Sequence, residues 1–233
     1  MYEKAVSWEL DALAAVSHGP PSPHYTPLLN DFTISGKGSS GSHLCFVMPL
    51  YGGDVKAMWK LRTTRFPVSL AKRIALHLLR GLAHAHECGV VHTDLKHDNI
   101  FFTTSMKAND IERWLTENPS RRHPPEVSHD GVMQAAVSQP LPTISEEEAF
   151  KATYVLGDFG TGMPISFRIP VDQRPDSRTS AQPSRLHSNQ TITTPPLRAP
   201  ESFLGAEWDK PADIWSFGCL VSHPLRYSSV KIL

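Results

Sequence analysis

The sequence predicts an α+β fold in which a short antiparallel sheet lies beside a mainly helical part. Three patterns lead to this prediction: helical spacing of apolar residues over 3–16, two apolar runs at 25–34 and 43–50, and a long amphipathic stretch at 68–88. The chain has 233 residues and is 40% hydrophobic, so it can bury a core in one domain or in two lobes that share a cleft.

The first helix and the strand pair follow from local patterns. In "EKAVSWELDALAAV", Val6, Leu10 and Leu13 share one helical face, and the proline-rich "GPPSP" ends the helix. The runs "YTPLLNDFTI" and "HLCFVMPL" are typical of strands, and the turn-rich "SGKGSSGS" joins them.

The second long helix is predicted over about 68–88. Its apolar residues recur at helical intervals, and a glycine at position 89 stops it. The residues that form this buried face are Ile74, Leu78, Leu82 and Ala85.

Residues 104–150 are rich in proline and predict an insertion with one short helix at "DIERWL" and mobile chain elsewhere. The acidic run from Glu146 to Glu148 is either a solvated face or part of an acidic docking surface.

Regular structure returns with "ATYVLGDFGTG", a strand that leads into a glycine-flanked turn. An amphipathic helix at "PADIWSFGCLV" follows a polar stretch at 170–196.

Composition excludes several classes of protein. The formal net charge is zero, so nothing favours direct nucleic-acid binding or electrostatic recruitment to a membrane. Cys45, Cys88 and Cys219 lie far apart without metal-ligand spacing, which indicates free thiols in a reducing compartment. There is no apolar run long enough to cross a bilayer and no signal pattern, so we expect an intracellular protein of the cytoplasm, the nucleus or both.

The stretch "VHTDLKHDNI" places four polar groups in one loop between two apolar segments. A loop aspartate such as Asp94 can accept a hydroxyl proton, and Lys96, on the same side of an extended loop, can neutralise phosphoryl charge. Asn99 and a second aspartate, Asp158 in "GDFG", offer the oxygen ligands that Mg²⁺ prefers. One base, positive charge and metal ligands are the set that phosphoryl transfer from ATP needs.

Four motifs in order resemble the eukaryotic-type protein kinases: "HTDLKHDN", "GDFG", "RAPE" and "DIWSFG". In that family they are the catalytic loop (here residues 92–99), the metal turn (157–162), the end of the activation segment and an anchoring helix. The activation segment as a whole begins in the metal turn and covers residues 158–201. Lys96 resembles serine/threonine kinases. Thr93, the insertion and "PADIWS" resemble the SR-protein kinases and their fungal relatives.

The resemblance implies a role for each matching residue. Asp94 would be the catalytic base, Lys96 would contact the γ-phosphate, and Asn99 and Asp158 would hold Mg²⁺. Asp213 would brace the catalytic-loop backbone. The structural residues His92, Phe159 and Leu13 would form a hydrophobic stack.

The segment "FVMPLYGG" resembles the hinge that binds adenine. Met48 would be the gatekeeper, and backbone groups from Pro49 to Tyr51 would meet the base. The resemblance thus divides the chain into residues 1–52, a partial kinase N-lobe and hinge, and residues 53–233, a partial C-lobe with the insertion.

The chain departs from the family pattern at both ends. It begins at the regulatory helix, so we expect no glycine-rich loop and no lysine partner for Glu9 within the chain. It ends in "SHPLRYSSVKIL", which shows no pattern for the distal helices of a C-lobe. We therefore expect Glu201 to be a buried carboxylate without its usual arginine.

Two functions remain open from the sequence. One is a serine/threonine protein kinase that uses ATP and Mg²⁺ on a protein substrate, with Arg/Ser-rich segments as the substrate that the narrower resemblance implies. The other is a catalytically impaired kinase-like binding module or a truncated kinase fragment. We expect nucleotide binding by this chain to be weak, and submicromolar ATP affinity would contradict that expectation.

Thr93 stands where many kinases carry an arginine that pairs with a phosphate on the activation segment. A neutral hydroxyl cannot make that charge-assisted pair. We therefore expect a full-length version, with the N-lobe strands and distal helices restored, to be active without phosphorylation of Thr191, Thr193 or Thr194. Arg198 is expected to belong to the substrate-facing loop.

Overall fold

The computed structural model describes residues 2–36, 41–62, 64–128, 131–164, 193, 195–204, 206 and 208–222. Within these residues there are seven α-helices: α1 (Tyr2–His18), α2 (Val55–Lys60), α3 (Val68–Glu87), α4 (Ala108–Glu117), α5 (Glu146–Lys151), α6 (Pro200–Phe203) and α7 (Lys210–Ser222). None of them is long and apolar enough to cross a membrane.

The strands in the same part of the chain are short: β1 (Asn30–Ser35), β2 (Ser42–Val47), β3 (Gly53–Asp54), β4 (Val90–Val91), β5 (Ile100–Phe102), β6 (Glu126–Ser128), β7 (Gly131–Met133), β8 (Tyr154–Leu156) and β9 (Met163–Pro164). They form four small antiparallel sheets in the orders β1–β2, β3–β5–β8, β4–β9 and β6–β7. Two of these sheets, β3–β5–β8 and β4–β9, bring distant parts of the chain next to the catalytic loop or the metal turn.

Helix α3 forms the centre of the core, as its periodicity predicts. Leu70, Ile74, Leu78 and Leu82 are almost fully buried, and each such side chain stabilises the fold by about 1.5–3 kcal/mol. The helix ends at Glu87, followed by Gly89, whose φ of 78° favours glycine. Helix α1 covers one side of this core with Leu13 and Val16.

A tight crossing locks the chain segment around His24 against α3. The His24 carbonyl accepts the Leu156 N–H at 2.9 Å, and the Thr26 N–H donates to the Leu156 carbonyl at 2.8 Å. A Cβ atom added at Gly81 would lie 2.4 Å from the His24 oxygen. Gly81 therefore interrupts the helical pattern because this backbone must pass close to α3.

The first predicted strand begins later than expected. Only 30–35 form β1, while Tyr25 makes an isolated parallel bridge to Leu156. The prolines and the contact with β8 direct this earlier part of the run toward the core instead of the β1–β2 sheet.

The insertion contains more regular structure than the sequence predicts. Helix α4 includes and extends "DIERWL", β6 and β7 form a hairpin, and the acidic run opens α5. Ser145 and Glu148 make a reciprocal capping box at the start of α5, a pattern visible in the sequence but not used in the prediction. The prediction of mobile chain outside one short helix was wrong for these elements.

The structure also bears on the expectations for Glu201 and for the C-terminal part of the chain. Glu201 in α6 is only half-buried, so it is not the buried unpaired carboxylate that was expected. Helix α7 buries Asp213, Ser216 and Leu220, whereas the large apolar side chains of Ile214 and Trp215 are about half exposed. The expected absence of distal helices concerns residues 223–233, which lie outside the described residues.

Candidate active site

The catalytic loop brings three of the predicted polar residues into direct contact. The Lys96 Nζ donates a short hydrogen bond to the Asp94 carboxylate. The Asn99 side-chain nitrogen donates to the Asp94 carbonyl at 2.9 Å and to Asp94 Oδ2 at 3.3 Å. Asn99 is buried and both of its bonds use Nδ2, so its amide oxygen remains available as a ligand.

Asp213 holds the backbone of this loop from below. Its carboxylate is fully buried and accepts the His92 N–H at 2.9 Å and the Thr93 N–H at 2.8 Å. The His86 Nε2 donates to the same carboxylate at 2.8 Å. A carboxylate that accepts three bonds from the loop and the end of α3 fixes Asp94, the next residue, in place.

His92 joins the catalytic loop to the metal turn. Its Nε2 donates to the Gly157 carbonyl at 2.9 Å, and its Nδ1 accepts the Asp94 N–H at 3.3 Å. The Gly157 N–H in turn donates to the Asn99 carbonyl at 3.0 Å. These bonds bring Asp158, which follows Gly157, to the same side of the molecule as Asp94 and Asn99.

The metal turn separates its two central side chains. Asp158 adopts a left-handed backbone with φ of 62° and is exposed, whereas Phe159 is fully buried. The His92 and Phe159 rings pack with centroids 5.0 Å apart, and Leu13 belongs to the same buried cluster as Phe159. The predicted packing of His92 on Phe159 is thus present, and Leu13 lies in the buried cluster that contains Phe159.

Lys96 lies among several acidic side chains that affect its pKa. Burial lowers the pKa of Lys96, but the hydrogen bond and charge of Asp94, with the charges of Asp158 and Asp98, outweigh burial and raise that pKa. Lys96 therefore stays cationic. Asp98 is also paired with Lys56 of α2 at 2.5 Å, a contact that the sequence did not indicate.

Glu9 of α1 points into the same region. Burial, and then the negative charge of Asp158, raise the pKa of the Glu9 carboxyl. Within the described part of the chain, no lysine or arginine forms an ion pair with it. The glutamate expected from the sequence is thus present beside the metal turn without a cationic partner there.

The predicted hinge connects β2 to β3. Met48 is 44% exposed, Pro49 is half-buried, and the ring of Tyr51 stacks on Phe101 with centroids 5.4 Å apart. Burial raises the pKa of the Tyr51 hydroxyl, which stays protonated. This stacking holds the hinge end against β5, which directly follows the catalytic loop.

The donor set fits Mg²⁺. The Asn99 amide oxygen and the Asp158 carboxylate are hard oxygen ligands, and Mg²⁺ is usually held by one or two carboxylates together with phosphate oxygens and water. No group of three or more histidine, cysteine or acidic side chains with metal-binding geometry occurs among the described residues. That finding is compatible with a site that phosphate oxygens must complete.

Two threonine hydroxyls, which were not among the predicted site residues, form hydrogen bonds that connect the catalytic loop to the metal turn and to the activation segment. The Thr93 hydroxyl donates to the Thr161 carbonyl at 2.7 Å, and the Thr193 hydroxyl donates to the Thr93 carbonyl. Arg198 donates to the Thr193 carbonyl at 2.9 Å and lies over the Phe203 ring. No local pattern points to these contacts because they join residues about 70 and 100 positions apart.

Comparison with known proteins agrees with this geometry. The protein kinase domain family matches residues 31–112. The serine/threonine-protein kinase SRPK of Physarum polycephalum is 26% identical over 227 residues, which cover 94% of this chain and 50% of that protein. The dual specificity protein kinase KNS1 of Saccharomyces cerevisiae is 26% identical over 223 residues, covering 94% of this chain and 25% of that protein.

A crystal structure of a kinase domain matches with a TM-score of 0.56 at 18% identity, over 95% of this chain and 52% of that chain. The present chain thus spans about half or less of the length of these proteins. The chain thus has a protein-kinase-like fold, carries the kinase motifs in order, and is similar over most of its length to kinases with the SR-protein-kinase-like pattern.

Proposed function

We propose that this chain forms the ATP- and substrate-handling core of a serine/threonine protein kinase. The observation that carries the proposal is the connected cluster in which Asp94 contacts Lys96 and Asn99 while His92 and Asn99 hold the metal turn. A base, a cation and two oxygen ligands for metal are thereby held on one rigid unit, as phosphoryl transfer requires.

Each residue has a defined task in this proposal. Asp94 orients the substrate hydroxyl and accepts its proton as the oxygen–phosphorus bond forms and the bond from the γ-phosphorus to its bridging oxygen breaks. Lys96 places positive charge beside the transferring group. Asn99 and Asp158 would hold Mg²⁺, which neutralises charge on the phosphates when it is bound.

The hinge residues complete the nucleotide site in this proposal. Backbone groups from Pro49 to Tyr51 would meet adenine, with Met48 at the back of the site. Residues 1–52 then act as a partial N-lobe and hinge, and residues 53–233 as a partial C-lobe.

The site itself does not define the substrate class or the location, and we propose both from the resemblance to SR-protein kinases. The substrate we propose is a protein with Arg/Ser-rich segments, and the location we propose is intracellular, in the cytoplasm, the nucleus or both. The similarity to a serine/threonine-protein kinase SRPK supports a protein substrate. The acidic residues of α5 already have partners in the chain, which argues against a docking surface there: Glu146 pairs with Arg62, Glu147 with Lys151, and Glu148 accepts hydrogen bonds from Ser105 and Ser145.

A second candidate is a kinase-like binding module that holds nucleotide without transferring phosphate. The observation that favours it is Glu9, which has no lysine or arginine partner among the described residues, whereas active kinases pair the equivalent glutamate with a lysine that contacts the phosphates. The two candidates differ in transfer, not in binding.

Titration of the chain with a fluorescent ATP analogue, with and without Mg²⁺, tests the shared part. We expect Mg²⁺ to strengthen binding, and Asp158→Asn to remove that effect. Asp110→Asn, on the exposed surface of α4, is the matched control and should leave it unchanged. Absence of nucleotide binding at millimolar concentrations would refute both candidates.

Transfer of labelled γ-phosphate to an Arg/Ser-repeat peptide separates the candidates. For a kinase, Asp94→Asn should keep Mg²⁺-dependent nucleotide binding and lose transfer by at least about a hundredfold. Binding by the unaltered chain without any transfer would instead identify the binding module.

A further inference from the structure

Thr93 is the residue at which three separate segments of the site meet. Its N–H donates to Asp213 in α7 at 2.8 Å, and its hydroxyl donates to the Thr161 carbonyl in the metal turn at 2.7 Å. Its carbonyl accepts the hydroxyl of Thr193, near the end of the activation segment. Every polar group of this residue is thus bonded to a different segment.

The backbone of Thr93 is strained, which indicates that these contacts hold it in place. Its φ is 66°, a left-handed value that is unfavourable for a β-branched residue, and only 2% of it is exposed. Such a conformation persists only where the surrounding structure requires it. The hydrogen bonds of Thr93 to α7, to the metal turn and to the activation segment hold the backbone in this conformation.

Thr193 extends the connection beyond the catalytic loop. It also has a positive φ of 64° and is 8% exposed. Its carbonyl accepts Arg198, and Arg198 lies over the Phe203 ring of α6 at 5.1 Å. A continuous set of contacts therefore runs from the metal turn through Thr93 to α6.

We infer that Thr93 is a positioning residue, and that Thr93, Thr161 and Thr193 form a hydroxyl brace that aligns the catalytic loop with the metal turn without a phosphate. Asp94 follows Thr93 directly, and Asp158 lies three residues before Thr161. The brace therefore fixes the position of the Asp94 carboxylate relative to that of Asp158. This inference rests on the proposed function, because the alignment matters only if both aspartates serve one phosphoryl group.

Valine is the informative replacement at this position. Thr93→Val keeps the β-branched shape and loses only the hydroxyl, while Thr93→Ser restores a hydroxyl. Thr116→Val is the matched control, because the Thr116 hydroxyl also donates to a carbonyl, that of Glu112 at 2.8 Å on the exposed face of α4. Urea unfolding confirms that each variant folds.

Two readouts then report on the brace. Hydrogen–deuterium exchange should become faster in residues 157–162 of Thr93→Val. The Mg²⁺ concentration for half-maximal binding of a fluorescent ATP analogue should rise about fivefold, the effect of losing one ordinary hydrogen bond. Thr93→Ser should restore both values, and Thr116→Val should change neither.

The outcomes separate the inference from the proposed function. Faster exchange with no nucleotide binding by any variant would support the brace and refute the kinase function. Nucleotide binding with Thr93→Val indistinguishable from Thr116→Val in both readouts would overturn the inference. If Thr93→Val does not fold, Thr193→Val removes the other hydroxyl bond to the same residue and is judged by the same two criteria.

Discussion

The carboxylates of Glu9 and Asp158 both lie next to Gly160, although the two residues are far apart in the sequence. A methyl group added at Gly160 would lie 3.3 Å from Asp158 Oδ1 and 3.5 Å from Glu9 Oε2. The two like charges raise the pKa of Glu9 further than its burial alone does. Glu9 thus contributes unfavourable charge where the proposed metal and phosphates would bind.

Replacing Glu9 with glutamine should stabilise the chain at neutral pH. A carboxyl whose pKa is raised on folding favours the folded state below its unfolded pKa, and that contribution is lost as pH rises through the folded pKa. Glutamine mimics the protonated form, so Glu9→Gln should raise Tm by about 1–3 °C at pH 7 and leave it unchanged near pH 4. Thermal unfolding followed by circular dichroism measures this, with Glu112→Gln on α4 as a neutral control.

Replacing Asp213 with asparagine should strongly destabilise the fold. The buried carboxylate accepts three hydrogen bonds through both of its oxygens, whereas an amide keeps one acceptor oxygen and places an NH2 group at the other position, where it faces an N–H donor. The expected loss in the free energy of unfolding is about 2–4 kcal/mol, measured by urea denaturation. Asp110→Asn on the surface should change it by less than about 0.5 kcal/mol, and an equal effect of the two variants would contradict the bracing role.

Protonation of His77 should lower the free energy of unfolding as the pH falls from about 6.5 to 4. Burial, with the nearby His24, Arg73 and Arg80, lowers the pKa of His77 to about 4, and its Nδ1 accepts the Tyr154 N–H at 3.1 Å. A histidine with a depressed folded pKa stabilises the fold above its unfolded pKa, and this contribution is lost as pH falls through the window between the two values.

Urea midpoints across that pH range test this prediction. His77→Gln keeps an acceptor for the Tyr154 N–H and should flatten the curve, leaving a smaller slope from His24, whose pKa burial also lowers. His43→Gln, at an exposed position, should keep the full slope. A His77→Gln curve as steep as that of the unaltered chain would count against the assignment.

Alanine should have opposite effects at two helical glycines. At Gly81 the new Cβ would lie 2.4 Å from the His24 oxygen, so the backbone would have to move and stability should fall by about 1–3 kcal/mol despite better helix propensity. At Gly218 in α7 no atom lies within 4 Å of such a Cβ, and alanine should stabilise by about 0.5–1 kcal/mol. Urea unfolding of both variants gives the comparison, and a stabilised Gly81→Ala would show that the crossing is loose.

An acidic residue at Thr193 should impair the site instead of activating it. The buried Thr193 hydroxyl donates to the Thr93 carbonyl, and a carboxylate there would face an acceptor without a proton to share. Thr193→Glu should therefore weaken Mg²⁺-dependent nucleotide binding relative to Thr193→Ser.

The wider test replaces Thr191, Thr193 and Thr194 together, although Thr191 and Thr194 lie outside the described residues. Any loss of peptide phosphorylation in the alanine variant should not return when acidic residues replace alanine. Recovery of more than about tenfold would show that a phosphate on this segment is the natural activator.

The sequence by itself determined the elements whose causes are local. Helix α3 was predicted within one residue at its end because its apolar period and the following Gly89 act within a few positions of each other. The contact of Asp94 with Lys96 and Asn99 was also predictable in kind, since five residues of loop cannot carry these groups far apart. The same local logic could have found α5 from its capping box.

The tertiary structure alone decided how distant residues meet. The motif resemblance implied that Asp213 braces the catalytic loop, but the structure supplies its bond to the Thr93 N–H across 120 positions. The contact of Thr193 with Thr93, across 100 positions, leaves no periodic signal in the sequence. Nothing in the sequence around Gly81 indicates that the His24 backbone passes within contact distance of the helix there. Such contacts depend on the packing of whole elements against one core, and the free energy of that packing belongs to no single stretch of chain.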